Sequence, residues 1–430
     1  MNAPVRDPLD VYLFPAVVGG GLGDIEEVLL AGRRLARAGF RILLFRGPGR
    51  PLPRSVEGPW DWPRVERRDR LAPRADRALT VAPWWGVSAA PARPGPLGRA
   101  GPWAEECRSV EGTYGTGRVL QVSFEEFART FTSRRQTAER LREGGVPVRT
   151  IRRGGGPSAA EIAEFRAAFT RFRAFDRPDV LHLYPTFSFS PAFRREFPES
   201  VQCGPFWPEP MARRPPRRGV WVWYASPGSS PQLARAMARN WPAGARRVRV
   251  LVRAPTPFPL PGADGLGFET LAPMAPAAWR DELARAELRI VTGSRTLLEA
   301  LVLGAPFLYY NGVTGRARGA RRHRPEKIEG LLALWRRQGV APRLRRDLAN
   351  FARGRDLAGV LARARDDPGW RREFPRRPSV GPFPPGYGDA GGLLEALARA
   401  WSRSTGSSEE LVARLRRYEP IAPAERGARS

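Results

Sequence analysis

One succession of segments occurs twice in this chain and limits the folds open to it. The apolar run Val11-Tyr12-Leu13-Phe14 leads to Gly19-Gly20-Gly21-Leu22-Gly23; Ile25, Val28, Leu29, Gly32, Leu35 and Ala36 then recur at three-and-four spacing, and Arg41 to Phe45 closes the unit. The order returns from Gly219 to Val252, with Val220 to Tyr224, the small-residue loop Ala225 to Ser230, an amphipathic stretch from Gln232 to Trp241, and Val248 to Val252. Short apolar runs bounded by glycine read as strands, and the three-and-four spacing reads as helix. Strands alternating with helices imply parallel sheets covered on both faces, so the expected class is α/β in two similar halves.

The chain has 430 residues, and at roughly 150 residues per domain this suits two large units with an accessory segment. Pro208 to Arg218 is proline-rich, basic and aperiodic, the composition of a linker. We therefore expect domains at 1–212 and 213–390, with C-terminal helices and a tail at 391–430. Residues 47–118, rich in Pro, Gly, Arg and Trp, read as a long loop insertion over the first sheet. Asp179 to Tyr184 reads as the last strand of the first half. In the second half, strands are expected at Leu288–Val291 and Phe307–Tyr310, and helices at Thr296–Leu303 and Glu326–Gln338. Gly392–Trp401 and Ser408–Arg417 have helical spacing, and Pro420–Ser430 does not.

Hydrophobic residues make up 42% and charged residues 27%, which excludes the disordered class. No apolar stretch approaches the ~18 residues of a spanning helix, and Asp7 and Asp10 precede the first apolar run, unlike a secretory leader. Cys107 and Cys203 are far apart and offer neither a zinc framework nor a disulfide scaffold. A cytoplasmic protein is expected. The 72 basic residues against 43 acidic ones leave +29, and Lys327 is the only lysine, a lopsidedness that marks compositional bias rather than function. The excess charge favours anionic partners: nucleotides, phospholipid surfaces or nucleic acid.

The segment richest in chemistry is Thr292 to Pro306. Gly293 lets a ligand approach the backbone, the first-turn amides at Ser294 and Thr296 can hold an anion, and Glu299, about one turn further, can accept from a diol. Thr296 and Glu299 also have the spacing of a capping box. Ser226, Gly228 and Ser229 form a small-residue loop between strand and helix, either a phosphate cradle or a plain turn. In the first half, Gly20, Gly21 and Gly23 precede Asp24, which is either a general base or, with Glu27, the N-cap of a capping box. Asn311 to Pro325 reads as a glycine-bearing loop whose five arginines, Arg316 and Arg321 among them, can close over a diphosphate, draw in an anionic acceptor or face solvent. His182 lies in an apolar strand and reads as a core histidine.

The order Gly293, Thr296, Glu299, Gly304, Pro306 resembles the nucleotide-sugar signature of the GT-B glycosyltransferases, nearest the inverting branch that includes the lipid II-forming N-acetylglucosaminyltransferase. The resemblance implies two Rossmann-like domains facing a central cleft, an acceptor domain followed by a donor domain. It places Glu299 on the donor ribose and the Ser226-to-Ser230 loop on the diphosphate, although Pro227 departs from the usual Gly-Gly-Ser and removes one amide donor. Asp24 stands where many relatives carry a histidine base. The implied activity is sugar transfer from a nucleotide diphosphate sugar, UDP-linked by analogy, with inversion. Retaining relatives carry two glutamates with seven residues between them, whereas the residue eight before Glu299 is Val291. No Asp-x-Asp is present and neither histidine has a metal-ligand neighbour, so no metal is expected and no cofactor beyond the nucleotide sugar as co-substrate.

Two other readings stay open. One keeps the fold but makes the chain a nucleotide-sugar epimerase or hydrolase. The other is a basic protein binding nucleic acid or an anionic surface, for which the charge and 13 Trp speak; no helix-turn-helix, zinc finger or RNP signature accompanies them, so nucleic acid is not the expected partner. Basic charge with exposed Trp also suits peripheral docking at the inner membrane face, fitting a lipid-linked or anionic acceptor.

Overall fold

The computed structural model describes residues 9–15, 23–45, 65–68, 71, 73–83, 104–124, 179–189, 191, 194, 198–212, 214–225, 230–241, 247–253, 266–272, 274, 276–310, 312–314, 321–323, 326–376 and 380–421. The chain begins with β1 (Asp10–Leu13), α1 (Gly23–Arg37), β2 (Arg41–Phe45), β3 (Val65–Arg68), β4 (Ala78–Pro83), α2 (Ala104–Tyr114), β5 (Val119–Phe124), β6 (Val180–Pro185) and β7 (Ser200–Cys203). It continues through β8 (Arg217–Tyr224), α3 (Ser230–Asn240), β9 (Val248–Arg253), β10 (Leu266–Thr270), α4 (Pro276–Arg285), β11 (Ala286–Val291), α5 (Ser294–Leu303) and β12 (Phe307–Tyr309). There follow β13 (Gly312–Thr314), β14 (Arg321–His323), α6 (Glu326–Arg337), α7 (Pro342–Ala352), α8 (Leu357–Asp366), α9 (Pro368–Arg372), α10 (Ala390–Arg403) and α11 (Ser408–Arg416).

These elements form two compact units, divided at Phe206/Trp207 and again at Gly381/Pro382. The first carries a seven-stranded sheet in the order β3-β2-β1-β4-β5-β6-β7, with every pair parallel. Strands β1, β2 and β4 to β7 are buried along their length: Tyr12, Phe14, Leu43 and Phe45 pack with Cys107, Val110 and Tyr114 of α2, and α1 lies against β1, β2 and β4. The second unit carries a five-stranded parallel sheet in the order β10-β9-β8-β11-β12. Val220, Val222, Leu251, Trp279, Leu283 and Leu303 share a core there. The two Rossmann-like units that the resemblance implies are both present.

Four expectations change. Residues 47–118 are not a structureless insertion, since they supply β3, α2 and β4, the strand beside β1 at the sheet's centre. The run Ala78-Leu-Thr-Val-Ala-Pro83 is short and its buried Thr80 breaks the apolar pattern, which hides it among arginines and prolines. Val180–Pro185 is not the last strand of the first half; β7 follows, with Ser200 and Gln202 buried in it. The stretch after Asn311 is not simply a loop, because β13 and β14 pair antiparallel as a ribbon, Thr314 opposite Arg321. The C-terminal helices, set apart by sequence at 391–430, cluster with the first unit. There Arg34 of α1 pairs with Asp389 at 2.6 Å and Glu395 at 3.1 Å, and Trp401 Nε1 donates to the Ala78 carbonyl at 2.9 Å.

The proline-rich linker is tied to α4. Arg214 lies 3.5 Å from Asp281, Arg217 pairs with Glu282, and Glu209 lies 4.0 Å from Arg280. Arg214 and Arg217 thus have acidic partners on α4.

Candidate functional site

In an open parallel sheet the ligand crevice lies beyond the carboxyl ends of the strands, where the strand order reverses. In the second sheet that point falls between β8 and β11, since β8 is flanked by β9 on one side and β11 on the other. The topology therefore brings to one place the ends of two segments that sequence singles out separately: Tyr224 and Ala225 at the end of β8, and Val291, Thr292 and Gly293 at the end of β11.

Gly293 is the N-cap of α5, with φ 88° and ψ 177°. Only glycine adopts that region without strain, and a Cβ placed there would meet nothing within 4 Å, so the position opens onto space. The cap residue, being glycine, contributes no side-chain bond of its own. The start of α5 carries the positive end of the helix dipole, which favours an anion. The far end is closed by Gly304 at φ 56°, whose N–H donates to the Leu301 carbonyl at 2.9 Å. The hydroxyl of Thr296 donates to the Thr292 carbonyl at 2.9 Å, and the Thr292 hydroxyl is buried with no hydrogen-bond partner among the described residues. That hydroxyl is one more group a ligand can satisfy.

Glu299 is buried within α5 and does not complete a capping box, because the helix starts at Ser294 and Thr296 is committed to the Thr292 carbonyl. Its Oε1 accepts from Arg280 Nε at 3.2 Å and pairs with Arg295 Nε at 3.2 Å. Arg295 sits four residues before it on the same helix, a spacing that places two side chains together and was legible in the sequence. Arg280 comes from α4, and no local pattern announces it.

The remaining expected site residues are placed as follows. Gly23 opens α1, and Asp24 is the second residue of that helix rather than the residue before it; only the backbone of both is described. Glu27, read only as a capping partner, is buried at 2% exposure in the same helix. Gly20 and Gly21, the loop residues Ser226, Gly228 and Ser229, and Asn311 and Arg316 lie outside the described residues. Arg321 opens β14. His182 is a core residue, its Nδ1 2.6 Å from the Ser123 hydroxyl on the neighbouring strand. Burial pushes the Cys203 thiol well above its ordinary value, with the charges of Asp389 and Glu27 adding to it. Among the described residues no group of three or more His, Cys, Asp or Glu is placed to hold a metal ion, and no helix is long and apolar enough to cross a membrane.

No protein-family model matches the sequence, and neither does any curated protein sequence. Solved structures do resemble it in outline. The chain is 16% identical to Os79 from O. sativa, in complex with UDP, covering 95% of this chain and 99% of that one at a TM-score of 0.45. LpCGTa in complex with UDP is 14% identical, with 94% and 99% covered and a TM-score of 0.46. MurG from Acinetobacter baumannii is 12% identical, with 87% and 97% covered and a TM-score of 0.37. The chemistry of this chain has to be argued from its own residues.

Proposed function

We propose that this protein is a glycosyltransferase whose second unit holds a nucleotide diphosphate sugar, UDP-linked in the first instance, at the N-terminus of α5. The observation that carries the reading is the coincidence of the Gly293-Ser-Arg-Thr-Leu-Leu-Glu299 order with the switch point of the sheet, on a helix start whose backbone only glycine adopts without strain. Diphosphate oxygens are the ligand that amides and a helix dipole serve best. The same groups stabilise the charge that develops on the leaving diphosphate as the anomeric bond breaks. An acceptor oxygen then attacks the anomeric carbon from the opposite side, with inversion, and Asp24 in the first turn of α1 takes its proton.

The reading extends to a cytoplasmic enzyme meeting a lipid-linked or anionic acceptor at the inner membrane face, which the net charge of +29 supports. Epimerisation or hydrolysis of the same donor would use the same anion site, and product analysis separates them from transfer. The test of the binding step is a thermal-shift panel with UDP, GDP, ADP, dTDP and a single-stranded oligonucleotide at low and moderate salt. A ligand at a hundred times its Kd stabilises the fold by about 2.7 kcal/mol. Salt-tolerant stabilisation by a nucleoside diphosphate is the expected result. A salt-sensitive shift with the oligonucleotide alone overturns the reading, because steep salt dependence marks phosphate-backbone binding.

A further inference from the structure

We infer that the second unit binds a small monovalent anion, chloride in the first instance, inside the fold between β8, the end of α3 and α8, at the cluster of Trp221, Trp241 and Arg365. The inference does not depend on the proposed function. Three elements bring the cluster together: Trp221 lies in β8, Trp241 directly follows α3, and Arg365 is in α8, which packs against α3. The two indole rings meet with centroids 5.4 Å apart and planes inclined at 73°, and the Arg365 guanidinium lies 5.2 Å from the centroid of Trp241. Trp221, Trp241 and Arg365 are 0%, 7% and 7% exposed.

Each of the three holds an N–H with no hydrogen-bond partner among the described residues: Nε1 of both tryptophans and Nη1 of the arginine. A native interior leaves few such groups, and three along one chain of contacts call for a common acceptor. Their chemistry narrows what that acceptor is. Indole and guanidinium donate and cannot accept. A water molecule would bring hydrogens of its own, and none of the three groups can receive them. A halide only accepts. The T-shaped ring contact sets the edge of one indole on the face of the other, so an N–H···π contact serves one indole at most, and weakly. Arg365 also supplies charge. Its Nε donates to Asp366 Oδ1 at 2.6 Å and its Nη2 to Oδ2, but that carboxylate is 53% exposed. The counter-ion thus stands toward solvent while Nη1 is the buried part of the fork, and away from water a charged donor holds an anion more strongly.

The test is thermal unfolding of the full chain in sodium chloride and in sodium gluconate at one ionic strength, repeated on Trp241→Phe and Trp221→Phe. A bromide soak of wild-type crystals, read by anomalous scattering, accompanies it. Phenylalanine keeps an aromatic ring in place and removes the donor. Equal ionic strength cancels general screening of the +29 charge, and the variants cancel any effect of gluconate on the chain as a whole. Chloride is expected to raise the wild-type Tm by about 2–4 °C over gluconate and that of each variant by about half as much or less. Bromide is expected at the cluster, within hydrogen-bond reach of Arg365 Nη1 and at least one indole nitrogen. A wild-type Tm that is the same in both salts overturns the inference, as does an equal chloride effect in wild type and both variants. If neither variant folds, the bromide map decides alone, and a map without bromide at the cluster overturns the inference.

Discussion

Gly204 passes so close to Gly388 that a Cβ on Gly204 would lie 1.8 Å from the Gly388 carbonyl oxygen. Gly204 N–H donates to the Tyr387 carbonyl at 2.7 Å, and Ala390 N–H returns a bond to the Gly204 carbonyl at 3.2 Å. The chain leaves the first unit just after Gly204 and re-enters it just before Tyr387, so the exit and the return are fastened backbone to backbone. A side chain here meets backbone, which cannot rotate away. Gly204→Ala is expected to lower stability by about 1–3 kcal/mol, the cost of overpacking a close contact. Urea denaturation measures it, and an unchanged midpoint would show that the two strands part easily.

Asp10 is a second fixed point. Its carboxylate is fully buried and accepts from Arg41 Nη1 at 2.9 Å, from the amides of Arg74 and Ala75 at 2.7 and 2.9 Å, and from the Tyr114 hydroxyl at 2.6 Å. Burial, with its bonds to Asp10 and to the Tyr12 hydroxyl, pushes the Tyr114 hydroxyl well above its ordinary range. Asp10→Ala breaks the buried pair with Arg41, itself 3% exposed, and takes the acceptor from two amides and the Tyr114 hydroxyl; urea denaturation is expected to show a cost of about 3–5 kcal/mol. Replacing Asp10 and Arg41 together by apolar residues should recover part of that loss, because the desolvation penalty disappears with the pair.

What the sequence shows of this molecule follows from where its signals are local. The doubled strand-loop-helix-strand units are legible because each is contiguous, and the residues at helical spacing in α1, Val28, Leu29, Leu35 and Ala36, are buried. β7 is missed because half of its four residues are polar, although all are buried. β11 begins two residues earlier than read, since Glu287 looks like a surface charge; Arg289, inside the strand, looks like one too. Arg289 in fact turns inward to the C-terminus of α4, donating to the carbonyls of Leu283 and Ala284 at 2.8 and 3.1 Å. At the site, Gly293 and the order that follows it were readable, whereas the Arg280 partner of Glu299 comes from another helix and only the fold reveals it.

Arg289 yields its own test. Its guanidinium is 3% exposed and burial brings its pKa down to about 10, so it is a cation kept inside by the two carbonyls it satisfies. Arg289→Met removes the charge but leaves those helix-end carbonyls short of donors. A net loss of about 1–3 kcal/mol is expected, the cost of unsatisfied buried acceptors. Arg289→Lys, which supplies one compact ammonium in place of a planar fork, is expected to recover only part of it. Thermal unfolding of the three proteins ranks them.

Tyr387 gives a pH-dependent signature. Its hydroxyl donates to the Glu419 carbonyl at 2.9 Å and its ring packs against Tyr418 with centroids 4.9 Å apart. Burial, reinforced by the charge of Glu419, raises its pKa from 10.0 to about 12. In the unfolded chain the phenol ionises near its ordinary value while the folded one stays protonated. The stabilisation is therefore fully present below pH 10 and is lost as pH rises from there to about 12. Wild type and Tyr387→Phe are expected to differ less in urea midpoint at pH 11 than at pH 8, a comparison that cancels the titration of groups common to both.

The sharpest test of the site lies at Gly293. Alanine there has to adopt φ 88° with ψ 177°, a region essentially closed to residues with a Cβ, although nothing stands within 4 Å of where that Cβ would point. The penalty is therefore backbone strain alone, and the helix start can relieve it by rotating the peptide and withdrawing its amides from the anion. Gly293→Ala is expected to cost about 1–3 kcal/mol of stability if the conformation is kept. If the backbone relaxes instead, stability is largely retained and nucleoside diphosphate binding weakens by about tenfold or more, since amides and dipole no longer converge on the phosphate. Calorimetric titration beside thermal unfolding separates the two routes. A variant that is fully stable and binds UDP as wild type does would show that the phosphate lies elsewhere and would remove the α5 N-terminus from the mechanism.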